Sequence, residues 1–217
     1  MLRGILIVLS QGCKWRAIDG PDAAWNSVYQ YYRRWTRQGI FTQLFVQIEL
    51  PLQGSQRFVD STHVKLHRCA SNPCGGQASQ AMGRTKGGMN TKIHAVVDQA
   101  GHPIRLLLSA GNDADISHAQ IITAEIPAKM VVADKGYDSD EFRQWLTEHG
   151  ITPCIPPRSN RKKACSYSKR TYRKRHVIEN FFERIKNFRR VATRYDKLAE
   201  TFLGFVCLAA TLVSLLF

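Results

Sequence analysis

Acidic residues are scarce in this sequence: 17 Asp and Glu stand against 31 Lys and Arg, a formal net charge of +14 over 217 residues. A chain so short of negative charge repels itself and seeks polyanions, nucleic acid first and anionic membrane second. Long apolar runs are also lacking. The stretch from Phe202 to Phe217 carries no charge across 16 residues, and a membrane-spanning helix needs about 20, so a buried C-terminal helix is expected. At the other end, the uninterrupted run from Ile5 to Leu9 falls short of a signal peptide's apolar region of roughly 7–15 residues. No membrane partner is expected. The six cysteines (Cys13, Cys69, Cys74, Cys154, Cys165 and Cys207) form no dense framework, which excludes the disulfide-stapled secreted class and points to reduced thiols in a cytoplasmic protein. Cys69 and Cys74 lie near His67, but no second ligand pair at metal spacing accompanies them, so a loop with free thiols is expected rather than a zinc site. With 15 Gly and 8 Pro at ordinary levels, collagen-like and largely disordered classes fall away. Gly83-Arg-Thr-Lys-Gly87-Gly88 is followed by no Gly-Lys-Ser/Thr, so it is not a nucleotide-binding P-loop.

What is present begins with helical spacing. Trp25, Val28, Tyr32 and Trp35 fall at steps of 3, 4 and 3, and Phe41, Leu44, Phe45 and Ile48 repeat the pattern after Gly39. Residues 1–50 therefore read as a small helical N-terminal region decorated by Arg33, Arg34 and Arg37, a face open either to solvent or to DNA. Pro51 to Gly54 reads as a linker, and 55–217 as the second domain. There the period changes: strands are expected over 58–66, 93–98 and 104–109, the last two joined as a hairpin by the turn Ala100-Gly101-His102-Pro103. A helix follows over 116–125 with Asp115 as its N-cap, then a strand over 130–134, a helix over 139–149 stopped by Gly150, and a weak edge strand over 151–155 that contains Pro153. The order is that of an α/β domain with a mixed sheet and flanking helices.

Charge is concentrated rather than spread. From Pro157 to Lys197 there are 15 Lys or Arg and three acids, Glu179, Glu183 and Asp196, a net of +12. Within that segment Tyr172, Arg175, Glu179 and Lys186 are spaced by 3, 4 and 7, and at about 100° per residue they share one helix face. Val177, Ile178, Phe181, Ile185 and Phe188 take the opposite side. On spacing alone, a surface helix laced by i,i+4 pairs such as Arg175–Glu179 is the better reading. Two other acids alter the balance. Asp60 sits inside an apolar strand, where an unpaired carboxylate is costly, and Asp134 ends a buried strand. Three carboxylates from two strands and a helix can converge at one sheet edge, where hard oxygen donors select Mg²⁺ or Mn²⁺. Two such ions about 3.5–4 Å apart serve phosphodiester displacement, and the adjacent basic segment suits a phosphate backbone. The seven His are dispersed, and His176 with Glu179 lacks the second pair that a two-helix metal site requires. Asp113, Asp115 and Asp138 read as caps and turn residues.

At these residues the sequence resembles the DDE transposases of bacterial insertion sequences, in the branch whose third motif is Tyr-x2-Arg-x3-Glu-x6-Lys: here Tyr172, Arg175, Glu179 and Lys186. Val59-Asp60-Ser61-Thr62-His63-Val64 is similar to the first motif and Ala133-Asp134-Lys135-Gly136-Tyr137-Asp138 to the second. Gly87-Gly-Met-Asn-Thr-Lys-Ile-His94 and Gly111-Asn-Asp-Ala-Asp-Ile116 also look like family segments. The resemblance implies a ribonuclease-H-like core in which Asp60, Asp134 and Glu179 are catalytic and ligate two Mg²⁺ ions, with Mn²⁺ able to substitute. It implies that Tyr172, Arg175 and Lys186 bind DNA at the transposon end. The expected partners are double-stranded DNA, both ends and target, and further copies of the chain on that DNA, in the bacterial cytoplasm at the nucleoid. The expected activity is cleavage at terminal inverted repeats and transfer of the freed 3′-hydroxyl to target DNA. The family's N-terminal region usually begins well upstream of the segment similar to Gly12-Cys13-Lys14-Trp15-Arg16, so a truncated end-binding region is expected. Two other readings share these features: a nuclease without strand transfer, and an inactive remnant that binds only DNA or a full-length partner.

Overall fold

The computed structural model describes residues 1–18, 24–48, 51–162 and 165–216. Residues 19–23 and 49–50 of the N-terminal region, Lys163 of the basic segment and Phe217 lie outside them. The chain opens with helix α1 (Leu2–Gln11), which buries Ile5, Val8 and Leu9 and ends where Gly12 adopts a left-handed φ of 65°. Helix α2 (Trp25–Arg37) turns Val28 and Tyr32 into the core, as their spacing requires. Helix α3 (Ile40–Gln47) starts after Gly39 and buries Phe41 and Phe45, whereas Leu44, expected on the same face, is exposed.

Strand β1 (Gln56–Leu66) is the centre of the sheet. Next come β2 (Gly83–Thr85), β3 (Gly88–Val97) and β4 (Pro103–Ala110). Strand β3 runs antiparallel to β1, with Asp60 opposite Ala95, and antiparallel to both β2 and β4. A 3₁₀ turn over Asp115–His118 leads into the short helix α4 (Ala119–Thr123). The helix expected over 116–125 is therefore shorter and split: Glu125 takes a positive φ of 61°, and Pro127 two residues later cannot continue a helix.

Strand β5 (Met130–Ala133) lies parallel to β1, pairing Gln56 with Met130 and Val59 with Ala133. Helix α5 (Asp140–Glu148) is capped by the Ser139 hydroxyl, which accepts from the Phe142 N–H at 3.0 Å, and it ends before Gly150, whose φ is 71°. Strand β6 (Thr152–Cys154) pairs in parallel with β5 at the far end of the strand order β2-β3-β1-β5-β6. Pro153 is tolerated at this edge because one side of the strand needs no N–H donor.

Helix α6 (Lys169–Tyr172), capped by Ser168, runs through a 3₁₀ turn (Arg173–Arg175) into α7 (His176–Lys186). Helix α8 (Arg189–Ala192), the two-residue strand β7 (Thr193–Arg194) beside the end of β1, and α9 (Ala199–Leu216) complete the chain. By length and composition α9 would cross a membrane, with a mean hydropathy of 1.9, but 61% of it is buried inside the molecule. It is the core helix that its uncharged sequence predicts.

The sheet separates two apolar layers. Phe58 and Val64 of β1 face a core shared by α1, α2, α3, α7 and α9, while Val59 faces a second core shared with α4 and α5. This mixed sheet, with its strand order and flanking helices, is a ribonuclease-H-like α/β fold preceded by helices.

Candidate active site

Alternation along β1 places Asp60 on the face of Phe58 and Val64, toward α7. Asp134 is the residue after β5, one step beyond the Val59–Ala133 pair, so the parallel register sets Asp134 beside Asp60 where β5 ends. Its Oδ1 accepts from the Gly136 N–H at 2.8 Å. A Cβ at position 136 would lie 2.8 Å from that same oxygen, so only glycine lets the turn close this tightly on the carboxylate. Glu179 is on the first turn of α7. Arg175 joins the two elements: its Nη1 donates to Asp60 Oδ2 at 2.5 Å, and its Nη2 donates to Glu179 Oε1.

The electrostatics follow from burial. The Asp60 carboxyl is pushed up to about 6, first by desolvation and further by Asp134, while Arg175 and the Ser61 N–H pull it back. Desolvation works to lower the Arg175 guanidinium, but Asp60 and Glu179 overcome it and the net shift is upward. The Lys186 ammonium donates to Thr62 Oγ1 at 2.6 Å and to the His63 carbonyl at 3.1 Å, and burial lowers its pKa. The Tyr172 ring stands 6.0 Å from the Arg175 guanidinium carbon, and burial raises its hydroxyl. All six residues singled out in the sequence thus lie along one seam between β1, β5 and the α6–α7 segment.

Among the described residues, no three His, Cys, Asp or Glu side chains stand ready-grouped around a common metal position. His67 Nδ1 is 3.1 Å from Cys69 Sγ, and neither Cys69 nor Cys74 is in a disulfide. Along the seam the donors nevertheless fit a hard divalent cation. Asp60, Asp134 and Glu179 are all carboxylate oxygens, and the guanidinium that bridges two of them already marks the place where positive charge is held.

Two acids read as caps do something else. Ala114 is the N-cap, and Asp115 accepts from Ser61 Oγ at 2.7 Å and from the nearly buried Lys92 Nζ at 2.8 Å. Burial alone would raise its carboxyl; these two donors hold it low. This brings the segments around Lys92 and Asp115 together behind the strand that carries Asp60. Asp138 is not the α5 cap, a role taken by Ser139. Its buried carboxylate accepts from Arg143 Nε at 2.8 Å, Arg161 Nη1 at 2.7 Å and the Arg158 N–H at 2.8 Å. Tyr137 is buried beside Asp60, Asp115 and Asp134, with its hydroxyl unpartnered among the described residues, and burial raises its pKa. Sequence spacing signals none of these partners, because they lie 20 to 54 residues apart or belong to residues with no unusual local pattern.

The comparisons with known proteins agree with this geometry. The family described as "Transposase DDE domain" matches residues 51–213, and "Putative transposase of IS4/5 family" matches residues 1–45. A relative named "Putative transposase for insertion sequence element IS6501", from Brucella ovis, is 35% identical over 127 residues, which is 58% of this chain and 98% of the relative. "Putative transposase for insertion sequence element IS402", from Burkholderia cepacia, is 27% identical over 155 residues, covering 62% of this chain and 71% of the relative. With the domain match spanning most of its length, the chain belongs to the DDE transposases of IS4/IS5-family insertion sequences.

Proposed function

We propose that the chain nicks DNA at the terminal inverted repeats of an insertion sequence and joins the freed 3′-hydroxyl to target DNA. The observation that carries this reading is the seam itself: Asp60 beside Asp134 on adjacent strands, with Arg175 spanning from Asp60 to Glu179. In this reading Asp60, Asp134 and Glu179 hold two Mg²⁺ ions, with Mn²⁺ a competent substitute. When bound, such ions lower the pKa of an attacking water or 3′-hydroxyl and stabilise the leaving oxygen.

The protein's own groups do the rest. Asp60 and Asp134 are fixed by the Ser61 and Gly136 N–H groups, so they enter the reaction already oriented. Lys186, held against Thr62 and His63, keeps a cation beside β1 for a backbone phosphate of the cleaved strand. Arg175 offers a planar guanidinium to a second phosphate, and Tyr172 offers a ring face to a base or sugar beside it. The basic stretch from 157 to 197 extends the same attraction along the duplex. The domains divide in this reading into a helical region, residues 1–50, that contacts end DNA and a catalytic region, residues 55–217. Copies of the chain assemble on paired ends, in the cytoplasm.

Glu179→Gln tests the reading. It removes a ligand charge at near-constant shape, so Mg²⁺-dependent cleavage of a labelled inverted-repeat duplex is expected to vanish while salt-sensitive DNA binding persists. Equal loss of both would make Glu179 a structural residue and contradict the assignment.

A further inference from the structure

Asp134 lines a second opening that the seam does not use. A recess of about 490 Å³ is bounded by Asp134, Lys135, Gly136, Arg158, Ser159 and Asn160, and by none of Tyr172, Arg175, Glu179 or Lys186. It is therefore distinct from the space between Asp60 and Glu179.

Residues 158–160, on one side of it, are held by two sets of bonds that meet at Arg158. Asp138 takes the Arg158 backbone N–H and the Arg161 guanidinium from one side and Arg143 of α5 from the other; Arg143 is itself anchored by donating Nη2 to the Ile155 carbonyl at 2.7 Å. The Arg158 side chain then folds back over the turn that carries Asp134, donating Nε to the Lys135 carbonyl at 3.1 Å and Nη2 to the Gly136 carbonyl at 2.8 Å. Two of five guanidinium donors are consumed, and Nη1 has no partner among the described residues. The Lys135 ammonium likewise has none there. A guanidinium fixed on one side with donors left over on the other is pre-organised for a phosphate, because little side-chain freedom is lost on binding. Lys135, Arg158, Ser159 and Asn160 line this recess together with Asp134.

Building on the reading that the chain acts on DNA, we propose that this recess is a second backbone-phosphate subsite of the active centre. Arg158 and Lys135 hold a DNA strand on the side of Asp134 away from Arg175 and Lys186. Asp138 is the positioning residue that sets Arg158 over the turn.

The test uses the full chain, a fluorescent inverted-repeat duplex with flanking DNA, and affinity measured across a salt series. Each phosphate contact contributes about 0.9 to the slope of log K against log salt concentration. Arg158→Ala is expected to reduce the slope by about 1 at an unchanged melting temperature, and Arg158→Lys to restore it. Asp138→Asn is expected to reduce the slope as well, and adding it to Arg158→Ala to cause no further reduction, because one acts through the other. Should Asp138→Asn not fold, the two exposed Arg158 variants decide alone. An unchanged slope for Arg158→Ala, with Lys186→Ala flattening it in parallel, overturns the subsite and leaves the seam standing. A wild-type chain with no salt-dependent DNA binding overturns both.

Discussion

A buried carboxylate needs donors, and the acids of this chain differ in where the donors come from. Strand patterning, a strand end and a 3-4-7 helical spacing single out Asp60, Asp134 and Glu179 in the sequence, and in the structure Arg175 bonds the first and the last of them. Asp115 and Asp138 carry no such signal. Both stand just before helical segments, where local reading assigns a cap, and their true partners Ser61, Lys92, Arg158 and Arg161 are distant in sequence. At Gly136 the close approach to Asp134 fixes an expectation: Gly136→Ala must displace the carboxylate. Cleavage is expected to fall about 100-fold, the order of cost of a 1 Å misplacement, with urea unfolding showing less than about 1 kcal/mol of lost stability.

His94 supplies a pH test. It is fully buried, bonds Ser109 Oγ through Nε2 at 2.7 Å and has no partner for Nδ1 among the described residues. Asp115, Asp113, Lys92 and His118 surround it, and burial pushes its pKa from 6.5 down to about 4. Between those values the unfolded chain takes up a proton that the folded chain refuses, so this residue's contribution to stability falls as pH drops through the window. His94→Gln removes that dependence. The stability difference between variant and wild type, from urea unfolding at pH 7 and about pH 4.5, is expected to move by roughly 2–3 kcal/mol in favour of the variant.

Elements were legible to the extent that their periodicity was clean. The faces of α2, the β3–β4 hairpin and the capped α5 appear where spacing, turn and cap chemistry put them. Strand β7 and the short β2 have no sequence signature because two or three residues carry no period; they exist because β1 and β3 offer edges to pair with. The long α9 was recognisable as buried from its uncharged run, but its closeness to α2 was not. That closeness depends on Gly204, where an added Cβ would lie 3.1 Å from the Tyr32 hydroxyl, 3.2 Å from Thr36 Oγ1 and 3.3 Å from Phe41. The Tyr32 hydroxyl in turn donates to the Thr201 carbonyl at 2.5 Å. Gly204→Leu is expected to force these helices apart and to lower the urea midpoint by an equivalent of about 1–3 kcal/mol. Gly87, whose φ is not in the left-handed region and where an added Cβ meets only Thr85 Oγ1 at 3.9 Å, is the control for overpacking as opposed to general sensitivity to substitution.

At the scale of the whole molecule, the N-terminal helices and α9 share one apolar core on the face of the sheet that carries Asp60. The basic segment from 157 to 197 runs through the same region and supplies nearly all of the net +14. The molecule therefore brings its positive charge beside the strands that carry Asp60 and Asp134, an arrangement suited to drawing a polyanion onto an acidic site. The most direct measurement is Mg²⁺-dependent nicking and joining of a labelled duplex carrying the flanking inverted repeat, with wild type run beside Asp60→Ala. The account predicts site-specific nicks and joined products from the wild type and neither from the variant, at comparable DNA binding. Nicks that persist in Asp60→Ala, or wild-type binding with no cleavage in Mg²⁺ or Mn²⁺, would contradict it.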